Sequence, residues 1–276
     1  MQGKNRNNTH IKKQLGQNFL INQGVIEKIV NCGDITEEVG ILEIGAGKGA
    51  LTKELAKYAK KVVAIEIDRE YIPLLNETFK DSSNVTILHG DILTLDLENL
   101  MKEQFNGLEV VVYGNLPYYI TSSIIMKLLE SRIAFKSLIV MVQKETAVRF
   151  TSKEGSRLTG AVTMAIRYFS EPHYLFDVSP GSFYPKPKVY SALVRFDILK
   201  EPSVKPTDEV LMFQVIKAAY MQRRKTAINA ITSSLPIDKE ELTKIFLELN
   251  IDLLIRAEQL TLKDYAAISD SMAQKE

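Results

Sequence analysis

The stretch ILEIGAGKGALT, residues 41–52, begins as a strand, ends as a helix and carries three glycines between the two. Ile41, Leu42 and Ile44 form a short apolar run of the kind that suits a strand covered on both faces. Gly45, Gly47 and Gly49 then remove side chains where the backbone must turn tightly or approach a ligand. Such a strand, turn and helix belong at the carboxyl edge of an open α/β sheet, where these folds bind ligands. Outward from this unit the alternation repeats. KVVAIEID, NVTILHGD, EVVVYGN and SLIVMVQ read as further strands, and GALTKELAKYA and REYIPLLNETFK as crossover helices. This βαβ repetition predicts a doubly wound α/β domain.

After residue 150 the pattern changes. HYLFDVS and VYSALVRFDI read as a closing antiparallel pair separated by PGSFYPKPK. KEPSVKPTDE, residues 200–209, is a charged connector punctuated by proline, and beyond it the apolar spacing becomes helical in EVLMFQVIKAAYMQ, KEELTKIFLELN and TLKDYAAISDSM. Thr207 or Asp208 is placed to cap the first of these helices, and Thr261 with Asp264 the last. The expected organisation is an α/β domain over residues 1–200 and a small C-terminal helical domain over 207–276.

With 276 residues, 45% of them hydrophobic, the chain has material for a large core, and none of its apolar runs reaches the roughly 18 residues a membrane span needs. Cys32 is the only cysteine and His10, His89 and His173 are scattered, so no structural metal is expected. The N-terminal segment is basic without an apolar signal core, which points to a cytoplasmic protein. Net charge is only +1, but the cations cluster. Lys4, Arg6, Lys12 and Lys13 form one island, Lys186, Lys188 and Arg195 a second, and Lys217, Arg223, Arg224 and Lys225 a third. Basic islands on a nearly neutral chain point to a local polyanion-binding face, with Lys186, Lys188, Arg223, Arg224 and Lys225 as candidates; solvated surface is the plain alternative.

Two acids extend the glycine turn into a nucleoside site. Glu66 ends the second strand in AIEID and can accept two hydrogen bonds from ribose hydroxyls; Asp91 ends the third in LHGDIL and can accept from an adenine amino group. The glycine spacing is G-x-G-x-G and not the dinucleotide G-x-G-x-x-G, and no P-loop lysine followed by Ser or Thr is present. S-adenosylmethionine fits this pattern better than a nicotinamide cofactor, because it has no pyrophosphate to cradle.

The fourth strand ends in Asn115-Leu116-Pro117-Tyr118. An adenine amino nitrogen is a weak nucleophile because its lone pair is delocalised into the ring. Asn115 and the Leu116 carbonyl can accept its two hydrogens and free the lone pair for attack on a sulfonium methyl. Pro117 fixes the backbone, and Tyr118 offers a face for a base taken out of its helix. Preorganised acceptors and positioning suffice, without a strong general base.

In this order, LGQNFL, EIGAGKGALT, AIEID, GDIL, NLPYYI, FYPKPKV with SALVRF, and QRRKT make the chain similar to the KsgA-type rRNA adenine dimethyltransferases, whose superfamily includes the Erm-type 23S rRNA methylases. The resemblance spans residues 15 to 226. It implies a Rossmann-like methyltransferase domain with a helical C-terminal domain, and dimethylation of two adjacent adenines in small-subunit rRNA during ribosome assembly. It also implies that Asn18 and Leu20 line the cofactor pocket, that Gly45 with the Gly47 turn meets the methionine end, and that Glu66 meets the ribose, Asp91 the adenine and Asn115 the junction with substrate. Phe183 is implied as a second aromatic wall of the base pocket. Tyr119 and YMQRRKT favour the KsgA type, whereas Lys48 and PKPK also occur in Erm-type enzymes. The segment EGSRLTGAVTMAIRY, read as running into a strand, lacks the Tyr-Gly common in the KsgA type. The rivals left standing are an Erm-type 23S methylase and a non-catalytic RNA-binding assembly factor. A monomer acting on a pre-ribosomal particle, with no membrane partner, is the expectation.

Overall fold

A computed structural model of the chain describes residues 18–274; the basic residues Lys4, Arg6, Lys12 and Lys13 lie outside them. In chain order, the two-residue strand β1 (Phe19–Leu20) leads into α1 (Gln23–Val30). Then come β2 (Val39–Ile44), α2 (Ala50–Leu55), β3 (Lys61–Glu66), α3 (Ile72–Thr78), β4 (Val85–His89) and α4 (Leu97–Phe105). The alternation continues through β5 (Glu109–Asn115), α5 (Thr121–Glu130) and β6 (Ser137–Gln143). Then follow α6 (Lys144–Phe150), α7 (Ala161–Phe169), β7 (Ser170–Val178), β8 (Phe183–Tyr184) and β9 (Ser191–Ile198), and finally α8 (Glu209–Met221), α9 (Ala227–Thr232), α10 (Lys239–Glu248) and α11 (Leu262–Ala273).

The main sheet has the order β4-β3-β2-β5-β6-β9-β7, and β2 pairs parallel with β3 and β5, β3 with β4, and β5 with β6. The order reverses direction beside β2, where the chain crosses from β4 to β5. That is the switch point at which an open sheet leaves a crevice for a ligand. β2 is buried along its whole length, as expected of a strand covered by helices on both faces. Its neighbours bring Val62 and Val63 from β3 and Val111 and Val112 from β5 into the same core, each fully buried. β1 pairs antiparallel with β8, Phe19 opposite Tyr184 and Leu20 opposite Phe183, which ties the segment before α1 to the loop after β7.

The chain divides into two compact units, residues 1–144 with 175–195, and residues 145–174 with 196–276. The second unit therefore takes in α6 and α7 besides the C-terminal helices, which a single boundary between 200 and 207 does not do. Its own core joins Tyr168, Phe169 and Phe213 as a ring cluster with centroids 4.9–6.0 Å apart. Asp208 caps α8 through Leu211 N–H, and Thr261 and Asp264 form the reciprocal capping box of α11, as the sequence predicts. The segment 161–169 departs from its strand reading: it is the helix α7. Its buried residues Thr163, Met164, Ala165, Ile166, Tyr168 and Phe169 are nearly continuous, and such a run has no clear period.

Candidate functional site

The glycine turn follows directly from β2. Gly45 and Ala46 donate their N–H groups to the Ile65 carbonyl on β3 at 2.9 and 3.2 Å, which holds the turn against the neighbouring strand end. Gly47 has φ +58°, and a Cβ there would come within 3.1 Å of two Phe19 ring carbons. Both the backbone angle and the space select glycine.

Glu66, 3% exposed, accepts from Gly47 N–H at 2.7 Å and from Asp68 N–H at 2.8 Å, one bond to each carboxylate oxygen. Burial pushes its carboxyl above the ordinary range, and the Asp68 and Gly47 N–H groups oppose that shift. A carboxylate oxygen accepts more than one bond, so Glu66 can still receive hydroxyls while it braces the turn.

Asn115, the last residue of β5, donates Nδ2–H to the Asn18 carbonyl at 2.8 Å. A carbonyl oxygen only accepts, so this contact fixes the amide's orientation and leaves Oδ1 as the acceptor. Leu116 N–H donates to Met141 O on β6 at 3.2 Å, and the Leu116 side chain is buried. The Pro117 carbonyl is taken by Ile120 N–H and the Thr121 hydroxyl at the start of α5. Tyr118, half-buried, shares a 2.8 Å hydrogen bond with the Ser191 hydroxyl, which holds its ring; burial raises its phenol.

Two cavities flank these residues. The larger, about 310 Å³, is lined among others by Phe19, Leu20, Gln23, Glu43, Lys48 and Met141. The smaller, about 90 Å³, is lined by Asn18, Glu66, Ile67 and the run Leu116 to Ile120. Phe19, Gly45, Gly47 and Asn115 line both, so the two meet at the turn and the β5 end. The structure thus brings Asn18, Leu20, Gly45, Gly47, Glu66, Asn115, Leu116, Pro117 and Tyr118 together.

Two candidates do not join them. Asp91, after β4, accepts from Leu93 N–H at 2.9 Å and lines neither cavity. Phe183 is 3% exposed in the apolar core with Leu20 and Leu193, and lines neither cavity. The basic candidates are all exposed: Lys186 and Lys188 in the first unit, Arg223, Arg224 and Lys225 in the second. Arg223 donates to the Arg157 carbonyl at 2.6 Å, so it braces its own unit. Arg195, from the middle island, is held by the Cys32 carbonyl and the Asp34 carboxylate at 3.0 and 3.1 Å.

Phe19, Gln23, Glu43 and Ile67 line the cavities without having been singled out from the sequence. For Glu43 a signal existed: it is an acid inside the otherwise apolar strand VGILEI. It is 1% exposed, and its Oε2 has no hydrogen-bond partner among the described residues. Burial raises its carboxyl to about 7; nearby Glu66 adds to the shift and Thr52 opposes it in part. An orphaned buried acid, a cradle that a Cβ at Gly47 would fill and an acceptor pair at Glu66 suit a cofactor with hydroxyls at one end and an ammonium at the other.

The family model for ribosomal RNA adenine dimethylase matches residues 8–274. The chain is 42% identical over 265 residues to ribosomal RNA small subunit methyltransferase A of Geobacillus sp. strain WCH70, covering 95% of this chain and 91% of that one. It is 43% identical over 267 residues to the protein of that name from Bacillus licheniformis, with the same coverage. Among solved structures, a dimethyladenosine transferase from Plasmodium falciparum superposes with a TM-score of 0.77 at 25% identity, covering 93% of this chain and 98% of that one. The 23S rRNA methyltransferase ErmE superposes with a TM-score of 0.68 at 21% identity, covering 93% and 100%, a likeness of fold.

Proposed function

This chain belongs to the ribosomal RNA adenine dimethylase family, and from that premise we propose that it methylates the exocyclic amino groups of two adjacent adenines in small-subunit rRNA. It is an enzyme of the S-adenosylmethionine-dependent class, and when bound that cofactor supplies an electrophilic sulfonium methyl. The observation that supports the reading is the Asn115–Asn18 contact, which turns the amide's donor end to the backbone and leaves Oδ1 as an acceptor for a substrate amino group.

In this proposal Glu66 holds the ribose and Asn18, Leu20, Gly45 and Gly47 wall the cofactor. Asp91 contributes to the adenine side through its position after β4. Asn115 Oδ1 and the Leu116 carbonyl accept the two hydrogens of the target amino group. That draws its nitrogen toward a pyramidal geometry, so that its lone pair meets the methyl in line, and the displaced proton leaves to water. Tyr118, held by Ser191, stacks on the extruded base. Phe183 lies under Leu20 in the strand pairing and supports the wall from behind. After one transfer a single N–H remains, enough to orient the second.

The substrate is presented as a pre-ribosomal particle in the cytoplasm to a monomer, with Lys186, Lys188, Arg224 and Lys225 as phosphate contacts. No helix among the described residues is long and apolar enough to cross a membrane. The deciding experiment offers radiolabelled S-adenosylmethionine with isolated small-subunit particles, naked small-subunit rRNA and large-subunit rRNA in parallel. Methylation of the particles supports the proposal; methylation of large-subunit rRNA alone transfers the assignment to the Erm-type substrate.

A further inference from the structure

The loop between β8 and β9 carries two aromatic rings that the reaction scheme leaves unused. In the run Tyr184-Pro185-Lys186-Pro187-Lys188-Val189-Tyr190 the tyrosines are 59% and 52% exposed, and both lysines face water. No acid occurs between residues 178 and 196. A lone exposed aromatic residue is ordinary surface. Here two of them alternate with cations, and both ends of the loop are fixed to walls of the site. At its start Tyr184 stands opposite Phe19 in the antiparallel β1–β8 pair, and Phe183 opposite Leu20. Opposed residues project on the same side of such a pair and successive ones on opposite sides. Leu20 and Phe183 join the core, so Tyr184 takes the side of Phe19, which walls both cavities. At the loop's end Tyr190 precedes Ser191, whose hydroxyl shares the 2.8 Å hydrogen bond with Tyr118. The Tyr190 carbonyl accepts Lys144 N–H at 3.0 Å, and the Lys144 ammonium, paired with Asp177, lies 5.9 Å from the Tyr190 ring centroid. Neither tyrosine lines a cavity, so both stand outside the pocket for the target base.

We propose that Tyr184 and Tyr190 form a stacking platform for unpaired nucleotides that flank the target adenine, with Lys186 and Lys188 on the phosphates between them. This rests on the ribosomal RNA reading of the site and adds what the enzyme senses around its target. An adenine taken out of a strand leaves its neighbours unstacked, and an aromatic ring replaces the lost face whatever the base. A base inside a duplex already has both faces covered, so the rings offer a paired flank nothing. The platform therefore selects adenines set in a single-stranded stretch, and it holds that stretch while one adenine after the other enters the pocket. Alternating rings and cations match the alternation of bases and phosphates along one strand, which favours RNA over a protein segment as the occupant.

The test measures binding of the full chain, with S-adenosylhomocysteine present, to isolated small-subunit particles and to a hairpin RNA whose loop carries two adjacent adenines. Tyr184→Ala and Tyr190→Ala should each weaken binding to both about tenfold, while Tyr184→Phe and Tyr190→Phe stay within about twofold, because the ring and not the hydroxyl makes the stack. None of the four should change the slope of log affinity against log salt, since no phosphate contact is lost. Lys186→Ala and Lys188→Ala should instead each flatten it by about one unit. Abasic residues at the positions flanking the adenine pair of the hairpin keep every phosphate and remove the bases. They should cost the wild type about tenfold and the Tyr184→Ala, Tyr190→Ala double variant nothing further. The melting temperature should stay at the wild-type value in the tyrosine variants, because both rings are exposed. The proposal is overturned if the alanine variants bind as the wild type does, if the phenylalanine variants lose as much as the alanine ones, or if abasic flanks cost the wild type and the double variant alike. A loss on particles with none on the hairpin also overturns it and reassigns the loop to a protein of the particle. If the wild type binds no ribosomal RNA in either form, the substrate reading fails, and the platform with it.

Discussion

At Asn115 one hydrogen bond fixes which way an amide is turned. The donor end is committed to Asn18, so replacement by Ala removes both a strut and an acceptor. Asn115→Ala should lower the single-turnover rate of methyl transfer at least about a hundredfold while leaving cofactor affinity within about tenfold, since the lost acceptor acts mainly on the reacting amino group. Single-turnover measurement beside calorimetry checks this, and a rate within a few-fold of wild type would remove Asn115 from the chemistry. Glu43 makes a residue-scale prediction about stability. Its value of about 7 lies above the ordinary 4.5, so the native state binds this proton more tightly than the unfolded chain. The contribution is therefore full below pH 4.5 and is lost as pH rises through 7, by an amount on the order of 3 kcal/mol. Glu43→Gln should gain on the wild type between pH 5 and 8 without cofactor, as read from urea midpoints. Midpoints that move in parallel at both pH values would contradict it.

The glycine turn is the element in which sequence and site come closest. Its strand, its three glycines and Glu66 at the next strand end were legible because each rests on a local rule: buried β-branched runs, positive φ, and a ligand crevice at the switch point. What escaped depends on three-dimensional neighbours. Phe19 became a wall of both cavities only through the pairing of β1 with β8, in which it stands opposite Tyr184, far away in the sequence. Phe183 follows the same pairing but turns into the core, because alternate residues of a strand take opposite sides. α7 carries too many apolar residues in a row for its period to show. The turn also allows a direct test. Gly47→Ala places a Cβ 3.1 Å from Phe19 at φ +58°. The left-handed angle alone costs roughly 1–2 kcal/mol, so the melting temperature should fall and cofactor binding should weaken as Phe19 is displaced. Unchanged binding by calorimetry would mean that Phe19 and the turn do not wall the cofactor.

For the whole molecule the net charge of +1 says little, and what each cation touches says more. Arg195 is consumed by Asp34 and Cys32, and Arg223 by the Arg157 carbonyl, so these two serve their own units. Arg224 and Lys225 are exposed and have no ion pair among the described residues. Within QRRK the cations therefore divide into a brace, Arg223, and the pair Arg224 and Lys225, and the two roles separate experimentally. Arg223→Ala should lower the melting temperature by a few degrees, as expected for loss of about 1 kcal/mol in a charged hydrogen bond. Arg224→Ala with Lys225→Ala should leave the melt unchanged. The double variant should instead flatten the dependence of log affinity on log salt for small-subunit particles by up to about two units, one for each lost phosphate contact. Its S-adenosylmethionine affinity should stay at the wild-type value, because neither residue lines a cavity around the glycine turn. A double variant that melts early and keeps the wild-type salt slope would show that these cations also brace the helical unit, and the RNA-contacting surface would have to be sought elsewhere on the chain.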